Sequence, residues 1–350
     1  MAKNVVGIDI GSEAIRAVEV ADVDKAVPTI LRFAEVPIPI DATKHGEVLE
    51  ANTVAGAIRS LWSVGRFRSR DVVLGMGNQR VLSRDLTVPR GPLAQIRESL
   101  PFLVQDMLPV PVGDAILDFY PTSEGIGENG PVVHGLLVAA VKDAVLANVR
   151  AAQLAGLNPV GVDLIPFALT RMLAPRVAGS GTVAIVDCGG NTTSVVIATD
   201  GVPKFVRIIP TGGDDVTKTI AARLEIGLPE AEAVKRHFGL SGQPRTPDDL
   251  RAVAATRESV GELLQSIRNT VNYFANTRAD EPVQSIVLVG GGSVLPGLRE
   301  GLGDFSGLPV AIGNPFVSAR AGRGISPEVL RERGPAISVA WSLAVGSRAA

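Results

Sequence analysis

Apolar, β-branched residues in this chain fall into short runs that end on a charged or glycine position. The run Val183 to Val186 predicts a buried strand. It stops at Asp187, followed by Gly189, Gly190, Asn191, Thr192, Thr193 and Ser194, and a second run, Val195 to Ile197, leads away. A buried strand therefore delivers a carboxylate to its tip, with a turn of glycines and hydroxyls after it. Glycine backbone lets N–H groups close on an anion, and the hydroxyls add donors. A carboxylate facing phosphate implies a cation such as Mg²⁺ between them, bridged by water. The competing reading is an Asx turn in a hairpin.

Repetition favours the binding reading. Val5 to Val20 (VVGIDIGSEAIRAVEV) has the same order of strand, Asp9, Gly11, Ser12 and second apolar run. A further apolar segment follows each copy, TILRFAEVPI and KFVRIIP. Two copies predict two similar domains facing one site. Neither copy is a P-loop, which needs GxxxxGKS/T and an immediate helix. A third cluster, Ser285 to Leu298, runs a strand into Gly290, Gly291, Gly292 and Ser293, with a helix expected from Leu295 or Pro296. Bare glycine backbone permits close approach of a base or sugar, and a helix start favours anions.

Between these motifs the periodicity gives a helix over Val48 to Trp62, with Val54, Ile58 and Leu61 on one face, and a strand over Asp71 to Met76. From Val81 to Gly156 the order is strand, helix, strand, strand, helix. The first helix of this block carries Leu93, Ile96, Leu100, Leu103 and Met107 on one face, with Pro101 expected to kink or split it. Asp143 is the expected cap of the second. Asn158 to Leu173 leads back to the central strand. Gly212 and Gly213 open a helix with Asp214 and Asp215 at its start. Pro229 to Phe238 is a helix bearing Glu232, Lys235 and Arg236. A long helix then buries Val260, Leu264, Ile267, Val271 and Phe274, and a small apolar helix spans Pro335 to Gly346.

Length and composition agree with two domains: 350 residues, 46% hydrophobic and 20% charged, can bury substantial cores. A net charge of −2 argues against a nucleic-acid surface. The single Cys188 excludes an internal disulfide and fits a reducing cytoplasm. Cys188 reads as a small buried residue rather than a redox group. His45, His134 and His237 lack metal-ligand spacing. Asp9 interrupts the only early apolar run, so no signal peptide is expected, and no run approaches the roughly 18 apolar residues of a membrane helix.

The order GIDIGS, VDCGGNTTS, VGGGSVLPG resembles the ATPase fold shared by actin, the chaperone DnaK and FtsA. The segments DMLPVPVGDAILDFY, AGLNPVGVDLIPFAL, DGVPKFVRIIPTGGDDVTKTI and GLPVAIGNPF resemble the PilM family of type IV pilus assembly proteins over essentially the whole chain. The resemblance implies an α/β, actin-like (DnaK/FtsA-type) two-domain ATPase fold with an inserted β-α-β-β-α subdomain. The first domain would span 1–180, with the insertion at about 81–156, and the second 181–325. Residues 326–350 would return to the first domain. The resemblance also implies ATP and Mg²⁺ as ligands. Asp9, Gly11, Ser12, Asp187, Gly189, Gly190, Asn191 and Thr192 would serve the phosphates, with Asp9 and Asp187 holding the metal through water. Gly213, Glu232, Lys235, Arg236, Gly290, Gly291, Gly292 and Ser293 would complete the nucleotide site. An exposed charged face is the other reading of Glu232, Lys235 and Arg236.

Further implications are a place in the cytoplasm at the inner face of the inner membrane and docking of the PilN N-terminal tail. Other pilus machinery would bind as well, with no nucleic acid and membrane contact only through partners. FtsA ends in a basic amphipathic helix, whereas only Arg348 lies near this terminus. A sugar or acid kinase and a filament-forming protein are the alternatives. No base for the kinase stands out, and one cysteine excludes a cysteine-rich zinc motif. One position departs from the relatives: where they carry a water-positioning Glu before Pro, this chain has Ile165. An isoleucine can neither accept a proton nor orient water. Asp163, roughly 6–7 Å back along an extended segment, is a weak catalytic candidate.

Overall fold

The computed structural model describes residues 4–39, 41–44, 46–177, 181–317 and 319–346; His45 and Arg348 lie outside the described residues. Two sheets carry the fold. In spatial order the first contains Asn158–Leu164, Asp71–Met76, Val5–Ile10, Ala14–Ala21 and Thr29–Pro37, with the short Arg320–Ala321 on its edge. The second contains Val310–Ile312, Val283–Val289, Thr182–Cys188, Thr193–Thr199 and Val202–Ile209. The two orders are the same when each copy is numbered from its motif strand. That strand pairs antiparallel with the next one and parallel with the fourth, and the fourth pairs parallel with the fifth. Both motif strands are buried along nearly their whole length, as strands covered on both faces must be.

Each sheet has helices of its own on its outer face. Ala51–Gly65 and Lys142–Leu154 bury Val54, Ile58, Ala151 and Ala152 with Val6, Ile8 and Val72 of the first sheet. The long helix Pro247–Thr277 buries Val260, Leu264, Ile267, Val271 and Phe274 against Ala184, Val186 and Leu288 of the second. Two helices lie between the sheets. Ile165–Val177 leaves the first sheet and packs on the strands of the second, whereas the chain returns from the second sheet through Arg320–Ala321 on the first sheet's edge into Pro327–Gly346, which packs on the first. They also pack on each other, in a core holding Phe167, Leu169, Leu173, Trp341, Leu343 and both motif strands.

The segment after Met76 forms a separate antiparallel sheet, Val81–Pro89, Gly130–Val141 and Ala115–Gly127, with Gly130–Val141 in the middle. The helix Leu93–Leu103 covers it, and Val88, Ile96, Leu100, Phe119, Val133 and Leu137 form its core. Pro101 sits in that helix's last turn, so the helix stops at Leu103 and a short turn, Gln105–Met107, follows. Leu93 and Leu103 are exposed rather than core-facing.

The block from Val81 has the expected order β-α-β-β-α; its last helix, Lys142–Leu154, packs in the first sheet's core and also meets Val81, Ala140 and Val141 through Ala144 and Val145. Three expectations are corrected. The cap position of Lys142–Leu154 is Val141, and Asp143 lies in the first turn. The glycine cluster runs into a short turn, Gly291–Val294, before its helix starts at Leu298, because Gly297 adopts a left-handed conformation there. The last helix starts at Pro327, with Pro335 inside it.

The close seat of the last helix on the first sheet requires a strand without a side chain at one point. A Cβ on Gly7 would lie 1.9 Å from the Ala340 carbonyl oxygen and 2.7 Å from the Ala344 nitrogen. Gly7→Ala is expected to cost about 3 kcal/mol, the upper end of the usual overpacking range. Gly261→Ala, on the long helix with nothing within 4 Å, is expected to gain roughly 0.5–1 kcal/mol. Urea unfolding of the two variants checks both signs; equal effects would deny the close helix–strand contact.

Candidate functional site

The duplicated turns have duplicated geometry. Gly11 N–H donates to the Ala14 carbonyl at 3.0 Å, and Gly189 N–H donates to the Thr192 carbonyl at 2.9 Å. A Cβ on either glycine would sit 2.9 Å from that same carbonyl oxygen. The first turn is braced by the Thr43 hydroxyl on the Gly11 carbonyl at 3.2 Å. The second is braced by the Thr193 hydroxyl on the Thr211 carbonyl at 2.8 Å and by the start of helix Gly213–Leu224. There Gly213 N–H donates to Gly189 at 3.0 Å, and Asp214 N–H to Gly190 at 2.8 Å. A side chain on Gly212 would strike the Gly190 carbonyl oxygen at 2.3 Å.

The turns meet in a cavity of about 500 Å³ between the two sheets. Asp9, Gly11, Ser12, Asp187, Gly189, Gly190, Asn191, Thr192, Gly213, Glu232, Lys235, Arg236, Gly290, Gly291 and Gly292 all line it. On the cavity floor, burial pushes both carboxyls up, and the Asp9 charge helps push Asp187 to about 7. The Arg16 guanidinium opposes this at both groups. Arg16 stands opposite Asp9 in the hairpin and is itself tied to Glu35 at 2.6 Å. Two carboxylates are too few to enclose a divalent ion, and no cluster of three or more His, Cys, Asp or Glu ligands occurs among the described residues. The pair suits a cation completed by water and phosphate oxygens.

The far wall is built from the helix Leu228–Phe238 and the third glycine cluster. Burial raises the Glu232 carboxyl, but hydrogen bonds from Lys235, Thr217 and Arg236 outweigh it and hold the group at about 2. Lys235 is buried, its Nζ 2.6 Å from Glu232, 3.0 Å from the Gly213 carbonyl and 2.8 Å from the Thr217 hydroxyl. Glu232 and Lys235 are part of the cavity wall; Arg236 lines it as well but its side chain is largely exposed. The three glycines divide their work. Cβ atoms on Gly290 and Gly292 would meet Asp187 Oδ1 at 2.3 Å and Cys188 Cβ at 2.9 Å, whereas one on Gly291 meets nothing within 4 Å. Gly290 and Gly292 fit the wall to the floor; Gly291 keeps the cavity open.

Two candidates are not brought to the site. Ser293 is buried and its hydroxyl is spent on the Gly290 carbonyl at 2.7 Å. Asp163 is ion-paired with Arg171 and does not line the cavity. Ile165 does line it, seated where Gly75 and Gly77 leave room: Cβ atoms there would lie 2.9 Å from it. The sequence reading missed Glu13, Arg16, Glu35, Asp214, Glu332 and Arg333, which also line the cavity. Arg16 and Glu35 had one available signal, a charge inside an apolar strand. Glu332 and Arg333 had none, since only the returning helix brings them here.

A family model of type IV pilus assembly protein PilM matches residues 7–348. This chain belongs to the PilM family. A solved "PilM-PilN type IV pilus biogenesis complex" is 30% identical, covers 98% of both chains and superposes with a TM-score of 0.86. Cell division protein FtsA of Bacillus subtilis (strain 168) is 22% identical over 75% of this chain and 68% of its own length. The chain spans only 56% of the FtsA of Neisseria meningitidis serogroup B, at 26% identity. MreB 5 of Spiroplasma citri, solved with AMPPNP, shares the fold at 12% identity and a TM-score of 0.52, covering 95% of this chain and 98% of its own. The fold is thus actin-like, and family membership favours neither the kinase nor the filament reading. No helix among the described residues is long and apolar enough to cross a membrane.

The carboxyl pair leaves a pH signature in the metal-free protein. Between pH 4 and 7 the native state keeps a proton on Asp187 (about 7 against an ordinary 3.8) that the unfolded chain has lost. The native state binds more protons there, so this group's contribution to stability falls as pH rises through the window. In a chelator, Asp187→Asn is expected to gain stability over wild type with rising pH, by up to a few kcal/mol at pH 7. Denaturant titrations across the range check this, and a pH-independent difference would refute it.

Proposed function

We propose that the cleft binds ATP with Mg²⁺, the metal reaching Asp9 and Asp187 through water. In the nucleotide-bound state the protein serves as a cytoplasmic component of the type IV pilus inner-membrane assembly, docking the PilN N-terminal tail. The observation that carries the reading is the 30% identity to a solved PilM–PilN chain over 98% of both chains. Two turns with donors, a carboxylate pair and an open glycine wall fit the nucleotide chemically. Burial raises both carboxyls, and the Asp9 charge adds to it at Asp187, so a cation beside them would be favoured.

For the partner, the inserted sheet offers an exposed apolar set. Phe102 is 80% exposed, beside Leu103 at 46%, with Ile116 at 42% on an edge strand. An extended tail would pair with a groove beside this sheet through backbone bonds and side-chain pockets. Hydrolysis has little to work with. Ile165 stands where a water-positioning group is needed, and Asp163 is engaged by Arg171. ATP would then act as a slowly hydrolysed conformational ligand.

Calorimetry with ATP·Mg²⁺ and with the N-terminal peptide of the PilN from the same genome tests both halves. Gly291→Val is expected to weaken ATP by about tenfold or more, since filling the cleft costs ~1–3 kcal/mol, and to leave the fold intact. Asp187→Ala should weaken binding more with Mg²⁺ than without. Phe102→Ser with Leu103→Ser should weaken the peptide and spare ATP. Unchanged ATP binding in both cleft variants removes the nucleotide site, and unchanged peptide binding moves the groove elsewhere.

Single-turnover hydrolysis by wild type, Asp163→Ala and Ile165→Glu addresses turnover. A very slow wild-type rate, unaltered by Asp163→Ala and raised by Ile165→Glu, is expected. A brisk rate abolished by Asp163→Ala would make Asp163 the catalytic group.

A further inference from the structure

Asp214 opens the helix Gly213–Leu224 in the second half of the molecule, yet its carboxylate is engaged by both carboxylate turns. The Ser12 hydroxyl donates to its Oδ2 across the cleft at 3.1 Å, and the Asn191 amide donates to the same oxygen. Its own N–H is fixed on the Gly190 carbonyl at 2.8 Å, so the residue cannot drift from the second turn. The seam is tight: a Cβ on Gly190 would lie 2.5 Å from Ser12 Oγ and 2.8 Å from Asp214 Oδ1. Two chain segments thus converge on one carboxylate oxygen of a third.

A phosphoryl oxygen and a carboxylate oxygen ask for the same donors, and two anions repel in a partly desolvated seam. The Ser12 hydroxyl has one proton to give, so it serves one acceptor at a time. We propose that Asp214 is a built-in competitor for polyphosphate: it occupies the Ser12 and Asn191 donors, sets how much negative charge the cleft accepts, and couples ligand entry to release of the Ser12–Asp214 bridge between the two halves. The negative character of this corner has independent support. Burial, then the Asp214 and Glu232 charges, push the neighbouring Glu13 carboxyl upward.

This assignment rests on the proposed nucleotide reading for its adenine ligands but not for its anion chemistry, so the probes separate the two. The intact chain, as wild type, Asp214→Asn and Asp214→Ala, is titrated with tripolyphosphate, pyrophosphate, ATP, ADP and adenosine at fixed Mg²⁺. Both variants are expected to bind ATP and tripolyphosphate more tightly, on the order of tenfold. The gain should be smaller for ADP and pyrophosphate and absent for adenosine. In ligand-free protein, amide exchange in the Gly11–Ala14 turn should accelerate in Asp214→Ala and in Ser12→Ala alike. Weaker or unchanged triphosphate binding, or an equal gain for adenosine, overturns the proposal, as does unaltered exchange in both variants. If the variants gain for tripolyphosphate while none binds an adenine ligand, the competitor stands and the nucleotide reading falls. If no polyphosphate binds any of the three proteins, both fall.

Discussion

Two carboxylates pressed toward each other on the floor of one cleft are the constraint that the rest of the molecule answers. Burial and mutual charge push Asp187 to about 7, and Arg16 relieves only part of that. Such a pair is an unfavourable thing to fold around without a compensating ligand. The fold tolerates it because each carboxylate ends a strand buried from both sides, so neither can swing out to water without dismantling a core. On the proposed function, a cation and an anion that neutralise the floor together would relieve this unfavourable charge.

What keeps the two strands aimed at each other is the pair of helices between the sheets. Ile165–Val177 packs on the second sheet, Pro327–Gly346 on the first, and each packs on the other. A simple hinge would let the halves separate, but here separation would expose Trp341, Phe167 and Leu169, all buried in one shared core. Full separation of the halves is therefore opposed by the burial of this packed pair. Ile165 begins one of those helices and also lines the cavity, so one residue of the cleft sits on an element that ties the halves together.

Much of this was legible before any coordinates. The two strand–Asp–Gly turns, the third glycine cluster and the long helix stripe follow from local pattern, and the structure brings nearly all the residues they nominate to one cavity. What escaped was whatever depends on pairing at a distance. Lys142–Leu154 has a helical pattern, but only the return of the next strand shows that it packs on the first sheet as well as on the insertion. Ser293 looked like one more hydroxyl in a binding turn, but a hydroxyl three residues past a carbonyl is as readily consumed by the backbone. Asp214 was read as a dipole partner at a helix start, where acids are common. Its contact with Ser12, 202 residues away in sequence, has no local signature.

The glycines show why motif and role must be kept apart. Gly290 and Gly292 are needed because the wall is close to Asp187 and Cys188, a packing requirement that would hold with no ligand at all. Gly291 has open space around its missing side chain, so packing gives no reason for glycine there. The remaining physical reason is an object that must come close to the backbone from the cleft side. The same test separates Gly7, which a returning helix demands, from Gly261, which nothing nearby demands. A glycine that packing does not require, on the wall of a cavity whose floor carries two carboxylates, is the point where this sequence departs from the needs of its own fold and begins to describe a ligand.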